Sequence, residues 1–272
     1  MNNKKLVHDF WNSSSCGEVL YLDGNDCNAY RLQSKIRYKL EPQILDFAQF
    51  HSHKDKEILE IGVGLGSDHQ KFAEAGAKLK GVDLTERAIA HASKRMKLFG
   101  LQSDLLIADA ENLPFMDDSF DLVYSWGVLH HTPNTREAIS QVFRVLKNGG
   151  EARIMIYHKY SLVGYMLWAR YALMRGRLFT SLTDIYEKYL ESPGTKAFSK
   201  KEAYDLFSQF QNVGIKTILT HGDLLTSNAG QRHHGMLLSI AKLIWPRWFI
   251  KIFFKSQGLF MLITAKKMVT EP

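Results

Sequence analysis

The stretch EIGVGLGSD, residues 60–68, ends an apolar run with three glycines at alternate positions. Gly62, Gly64 and Gly66 have no Cβ, so the chain there can turn with positive φ and let a ligand approach its main chain. KEILEIGVG (56–64) thus reads as a buried strand running into a turn, with SDHQKFAEAGA (67–77) as the helix that follows.

Outward from this loop the pattern repeats. KLKGVDLT (78–85) is a second short strand ending in an acid, and ERAIAHASKRMKLFG (86–100) has helical spacing closed by Gly100. SDLLIADAENLPF (103–115), FDLVYSWGVLHH (120–131) and EARIMIYH (151–158) supply three more strands; TREAISQVFRVLKNGG (135–150) is a helix closed by a turn. Strands alternating with helices predict an α/β fold, a Rossmann-like parallel sheet with helices on both faces. Ligands of such sheets lie beyond the carboxyl ends of the strands, where the strand order reverses.

The flanks differ. KKLVHDFW (4–11) and SKIRYKLEPQILDFAQF (34–50) read as short helices, the second broken at Pro42. Beyond Tyr160 the alternation stops, leaving the apolar, arginine-bearing SLVGYMLWARYALMRGRLF (161–179) and the amphipathic SKKEAYDLFSQF (199–210). VGIKTILTH (213–221) and GLFMLITAKK (258–267) are expected as late strands completing the sheet. The expected organisation is an N-terminal helical segment (1–54), a ligand-binding core (55–160) and a C-terminal substrate cap (161–272).

With 272 residues, 45% hydrophobic and 23% charged, the chain suits one α/β domain with a cap, and disorder is not expected. Two cysteines, Cys16 and Cys27, cannot build a disulfide framework or a four-cysteine zinc site, and no signal-peptide core precedes them; a cytoplasmic protein is expected. The net charge of +7 is uneven: residues 224–272 hold seven Lys or Arg against Glu271 alone. Such a region attracts anionic lipid or nucleic acid, or is merely a solvated basic face. LLSIAKLIWPRWFIKIFF (237–254) is apolar but interrupted by Lys242, Pro246, Arg247 and Lys251, so it does not read as a membrane span of about 20 apolar residues. Arg247, Lys251 and Lys255 would share one helical face opposite Trp245, Trp248, Phe249, Ile252 and Phe253. A cap over core is the preferred reading, and peripheral membrane contact through residues 237–255 is the alternative.

Three acids complete the loop pattern. Asp83, ending the second strand, can accept both hydrogen bonds of a ribose diol; Asp109, with Ala110 and Glu111 behind it, can accept from an adenine amino group. The glycine spacing is G-x-G-x-G, not the G-x-G-x-x-G of a nicotinamide fold. Glu60 would repel a pyrophosphate but suits an ammonium group. The pocket is therefore one for an adenosine carrying an amino-acid end.

ILEIGVGLGSDHQKFAEAGAKLKGVDLT (58–85), ADAENLPFMDDSFDLVYSWGVLHHTPN (108–134) and VFRVLKNGGEARIMIY (142–157) together resemble class I S-adenosylmethionine-dependent methyltransferases, of the small-molecule type 11 group, over roughly residues 55–160. The resemblance implies S-adenosylmethionine as cofactor. It brings Gly62, Gly64 and Gly66 to the methionyl end, Asp83 to the ribose, Leu84, Asp109 and Ala110 to the adenine, and Trp126 and Gly127 to the reactive side. His130 and His131 fall where the acceptor meets the methyl group and are the candidate bases, with Tyr157 and His158 behind them. Adjacent histidines seldom point at one ion without further ligands, so no metal is expected; His233 and His234 raise the same question.

The expected function is methyl transfer to a small, partly apolar acceptor. The chain has SWGVLHH after its fourth strand, where aminopurine and glutamine methyltransferases resemble one another in an Asn/Asp-Pro-Pro-Tyr segment. No stable nucleic-acid partner is therefore expected. An RNA methyltransferase using the basic C-terminal region, and a non-catalytic binding protein of the same fold, are the alternatives.

Overall fold

A computed structural model describes residues 3–226, 242–243 and 245–268. Seven strands make one sheet: β1 (Glu57–Ile61), β2 (Lys78–Asp83), β3 (Asp104–Ile107), β4 (Phe120–Trp126), β5 (Leu146–Tyr157), β6 (Gln211–Ile218) and β7 (Phe260–Lys266). Their order is β3-β2-β1-β4-β5-β7-β6, with β1 to β5 parallel and β7 antiparallel to both its neighbours. The order reverses between β1 and β4, so the loops leaving these two strands open a crevice between them.

Alternation along the strands divides the core in two. Leu59, Ile61, Val123, Ile154 and Ile156 face one side, where they meet Ala138, Ile139 and Val142 of α7 (Thr135–Val145). Ile58, Leu122, Tyr124 and Met155 face the other, against Ile44 and Phe47 of α4 (Gln43–Ala48) and Phe72 of α5 (Ser67–Glu74). Helices cover both faces, as the alternating pattern predicts. Thr85 caps α6 (Glu86–Leu98) by accepting from the Ala88 amide. The N-terminal segment carries α1 (Asn3–Ser13), α2 (Glu18–Tyr21) and α3 (Cys27–Leu40), the last separated from α4 at Pro42.

The helix expected over 135–150 ends early. Leu146 already pairs with Phe120, and the register then jumps to Leu122 opposite Glu151. Residues between are accommodated as a bulge in which Gly149 takes φ +76°. Past Tyr157 come α8 (Leu162–Tyr171), α9 (Leu182–Tyr189) and α10 (Lys200–Leu206), the last opened by a Ser199–Glu202 capping box.

One further helix, α11 (Arg247–Phe253), stops before Lys255, so the expected basic face is shorter than its sequence spacing implies. Arg247 does not face solvent freely either; its guanidinium donates to the carbonyls of Leu224, Leu225 and Lys242. The expected apolar face is not covered, with Trp248 and Phe253 69% and 64% exposed; the helix instead buries Ile250, one turn from Arg247. Residues 237–241 and the pair His233 and His234 lie outside the described residues. No described helix is long and apolar enough to cross a membrane.

Candidate functional site

At the carboxyl ends of the strands a cavity of about 690 Å³ is lined from the N-terminal helices, the sheet loops and the segment beyond residue 160. Its floor is the glycine loop. Gly62 (φ +84°) packs so tightly that a Cβ would lie 2.1 Å from Cγ2 of Val128, in the loop after β4. Gly64 (φ +50°) has open space where its Cβ would project, so its bare main chain faces the cavity. Gly66 lies off the cavity: it precedes α5, and a Cβ there would meet Ala92 Cα at 3.1 Å. Its bareness serves close packing of α5 on α6.

Asp83 ties the two loops together. One carboxylate oxygen accepts from the Gly64 amide (3.2 Å), the other from the amide (3.0 Å) and hydroxyl (2.9 Å) of Thr85. Burial pushes its carboxyl above the usual range, against the pull of these hydrogen bonds. Asp83 and Leu84 both line the cavity.

Glu60 is 3% exposed at the end of β1, yet borders the cavity. One of its oxygens lies 2.8 Å from Nδ1 of His69, a wholly buried residue of α5 whose Nε2 is 2.7 Å from the Ser103 hydroxyl. Burial, together with the charge of nearby Asp68, holds Glu60 well above the carboxylate range; burial drops His69 to about 3. Asp68 is the opposite case. Despite burial, Arg37 holds it low, with hydrogen bonds at 2.8 and 3.2 Å and further donors in Tyr38 (3.0 Å) and Tyr124 (2.9 Å). Arg37, on α3, also lines the cavity and offers it a cation beside the glycine loop.

Asp109 and Ala110 line the opposite end; Glu111 lies just behind. Asp109 and Glu111 both pair with Lys4 of α1, at 2.8 Å for Glu111, and Glu111 also accepts from the Asn134 amide at 2.6 Å. Helix α1 thereby lies across the cavity, from Lys4 at these acids to Trp11, whose ring sits 5.3 Å from that of His131. Trp126 and Gly127 line the middle, the indole Nε1 donating to Glu41 at 3.2 Å.

The two histidines separate. His131 lines the cavity, whereas His130 lies behind it, wholly buried against Tyr157 with ring centroids 3.9 Å apart. Around His131 gather Tyr157 and Glu191, the tyrosine hydroxyl donating to the glutamate at 2.8 Å. His158 turns away, its Nδ1 3.2 Å from the Gly258 carbonyl.

Sequence reasoning missed Arg37, Asp68, His69 and Glu191. Asp68 ends the glycine-loop stretch and His69 follows it; the partners of Asp68 lie on distant segments, and Glu60, which meets His69, reads from the sequence as a ligand contact alone. Glu191 follows an irregular part of the chain with no motif to mark it.

Residues 59–154 match the family described as "Methyltransferase domain". Among relatives, the phthiotriol/phenolphthiotriol dimycocerosates methyltransferase of Mycobacterium tuberculosis is 38% identical over 97 residues, 35% of this chain and 35% of the relative. The demethylmenaquinone methyltransferase of Tropheryma whipplei is 32% identical over 141 residues, 50% of this chain and 58% of the relative. The matches thus span from about a third to under two thirds of these relatives. Among solved structures, the phosphoethanolamine N-methyltransferase 2 of Haemonchus contortus, in complex with phosphomonomethylethanolamine and S-adenosylhomocysteine, aligns with a TM-score of 0.60 at 16% identity, covering 96% of this chain and 60% of that one. Residues 59–154 thus match the methyltransferase-domain family, and the sheet they help to build has the fold of that solved methyltransferase.

Proposed function

We propose that this protein transfers a methyl group from S-adenosylmethionine to a small, partly apolar acceptor. The observation that carries the reading is one continuous cavity with bare main chain and carboxylates at one end and apolar side chains at the other. Its size falls within the range of about 300–1,000 Å³ usual for small-molecule sites. The residues fit the cofactor: Gly64 leaves room that a Cβ would fill, and Asp83 presents a fixed carboxylate where a ribose would lie.

When bound, S-adenosylmethionine supplies a methyl group already activated on a sulfonium. The chain's own task is alignment and exclusion of water. In this reading Glu60 and Arg37 face the ammonium and carboxylate of the amino-acid end, and Gly62 and Gly64 offer main chain to it. Asp83 holds the ribose, while Leu84, Asp109 and Ala110 border the base, with Glu111 and Lys4 fixing Asp109. Trp126 and Gly127 flank the reactive centre. Gly66 and His130 do not touch the cofactor, since neither lines the cavity. Helix α1 covers the cofactor, and Met166, Leu167 and Leu190 wall the acceptor end. The acceptor loses its proton at the corner of His131, Tyr157 and Glu191.

An acceptor of this class is supported by the relatives named for demethylmenaquinone and for phthiotriol dimycocerosates. The exposed aromatic side of α11 favours peripheral contact with a lipid surface as well; co-sedimentation with anionic vesicles, lost in Trp248→Ala/Phe253→Ala, tests that contact. For the activity, metabolite extracts incubated with isotopically labelled S-adenosylmethionine are read for a labelled methyl mass shift. The reading requires a shifted small molecule whose formation falls in His131→Ala. Label entering RNA but no metabolite would overturn it.

A further inference from the structure

Three side chains at the acceptor end are arranged in a way that methyl transfer alone does not explain. His130 is wholly buried, and neither of its ring nitrogens has a hydrogen-bond partner. Leaving such a group unsatisfied costs about 1–3 kcal/mol, so it asks for a partner. Its neighbour His131 is held at Nδ1 by the hydroxyls of Ser192 (2.9 Å) and Thr195 (3.1 Å). Thr195 commits its own proton to the Ser192 carbonyl at 2.7 Å, so its oxygen can accept from Nδ1–H, whereas in the other tautomer the Ser192 hydroxyl donates to Nδ1. With Nδ1 protonated, the lone pair of Nε2 turns outward. Nε2 makes no hydrogen bond, yet it faces a Glu191 oxygen 3.4 Å away. In the tautomer with Nδ1 protonated, a cation between that lone pair and the carboxylate would satisfy Nε2.

One nitrogen from each histidine and a Glu191 oxygen lie within 4.8 Å of one another. We propose that His130, His131 and Glu191 bind a divalent transition-metal ion at the acceptor end of the cavity. Two imidazoles and one carboxylate suit zinc or iron(II), whereas magnesium and calcium prefer oxygen ligands throughout. Bonds of about 2.0–2.2 Å put ligand atoms roughly 3.4 Å apart at a tetrahedral angle. His131 and Glu191 already stand at 3.4 Å, and the imidazole of His130 closes in by roughly 1 Å on binding. Ser192 and Thr195 orient His131 from behind, and Tyr157 does the same for Glu191, as outer partners of metal ligands do.

His131 and Glu191 line the cavity, so the ion's open positions face the acceptor. What the ion does there rests on the methyl-transfer reading. An acceptor hydroxyl or thiol bound to it loses its proton to water, and the resulting anion attacks the methyl carbon. The new C–O or C–S bond forms as the sulfonium C–S bond breaks, and that electron pair stays on the departing sulfur as a thioether.

The full chain, stripped with chelator, is titrated with zinc chloride by calorimetry and separately with cobalt(II), read by its visible absorption. One equivalent of each metal is expected, with affinity reduced at least tenfold in Glu191→Gln and in His131→Asn. Because His130 is buried, its replacement risks the fold; Glu191→Gln, checked for an unchanged melting profile, is the deciding variant. No binding by the folded wild type, or equal binding by wild type and both variants, overturns the site and leaves ordered water as the partner of His130. The same preparations are titrated with S-adenosylmethionine. Cofactor binding without metal binding sinks the metal site alone, and metal binding without cofactor binding sinks the methyl-transfer reading alone.

Discussion

Nδ1 of His69 lies 2.8 Å from a carboxylate oxygen of Glu60, both side chains buried where β1 gives way to the glycine loop. The Ser103 hydroxyl donates to the Leu79 carbonyl at 2.9 Å, so it accepts from Nε2–H of His69. A neutral imidazole then has its lone pair on Nδ1, and the proton between the two residues belongs to Glu60. The raised Glu60 and the lowered His69 agree with this assignment.

The pair predicts a specific pH profile of stability. Below pH 4.5 the unfolded chain binds a proton on each residue while the folded chain holds one, so stability falls as pH drops towards 3. Between 4.5 and 6.5 both states hold one proton, and the pair contributes no slope. Above 6.5 the unfolded chain holds none, and stability falls as pH rises, by about 1.4 kcal/mol per pH unit, until Glu60 ionises in the folded state. Glu60→Gln removes this alkaline decline. Denaturant titrations of both proteins across pH 5–9 check it; parallel curves would remove the assignment.

Arrival of an ammonium group beside Glu60 favours its ionised form. Cofactor binding near pH 7 is therefore expected to release close to one proton, seen as a dependence of the calorimetric enthalpy on the buffer's ionisation enthalpy. In Glu60→Gln that dependence should vanish.

Gly62 and Gly64 should respond differently to a single methyl group. Gly62→Ala drives a Cβ into Val128 at positive φ, at a cost of roughly 2–5 kcal/mol in stability. Gly64→Ala meets open space, so it costs roughly 1 kcal/mol of backbone strain and instead weakens cofactor binding. Thermal melts and cofactor titrations of the two variants separate packing from contact.

Arg37→Met strands Asp68 as a buried carboxylate beside Glu60, at an expected cost of about 3 kcal/mol. Adding Asp68→Asn should recover part of that loss. If the double variant is no more stable than Arg37→Met, the charge pairing is not what joins α3 to the glycine loop.

The strands, the loop and Asp83 were legible because each depends on neighbours in sequence: an apolar run, a turn that needs bare Cα atoms, an acid at a strand end. The parallel sheet followed from the alternation, and the late strands β6 and β7 from their own apolar content, whereas the order β3-β2-β1-β4 is set by contacts between strands far apart in sequence. What escaped depends on distant partners. Nothing beside His131 announces Glu191 or Ser192, some sixty residues on, and nothing in α3 announces that Arg37 meets Asp68. Gly66 was grouped with the ligand glycines because spacing cannot distinguish a bare Cα facing a cavity from one facing another helix. The exposed side of α11 escaped for a related reason, since an apolar helical face reads alike whether covered or open.

In the proposed function the rim formed by Gly64, Asp83 and Glu60 cradles S-adenosylmethionine. Calorimetric titration of the folded chain with that cofactor, beside Asp83→Ala, tests it most directly. Saturable binding at one site is expected, weakened about 10–100-fold when the hydrogen bonds of the Asp83 carboxylate are lost. Absence of saturable binding, or equal affinity in Asp83→Ala, would contradict it.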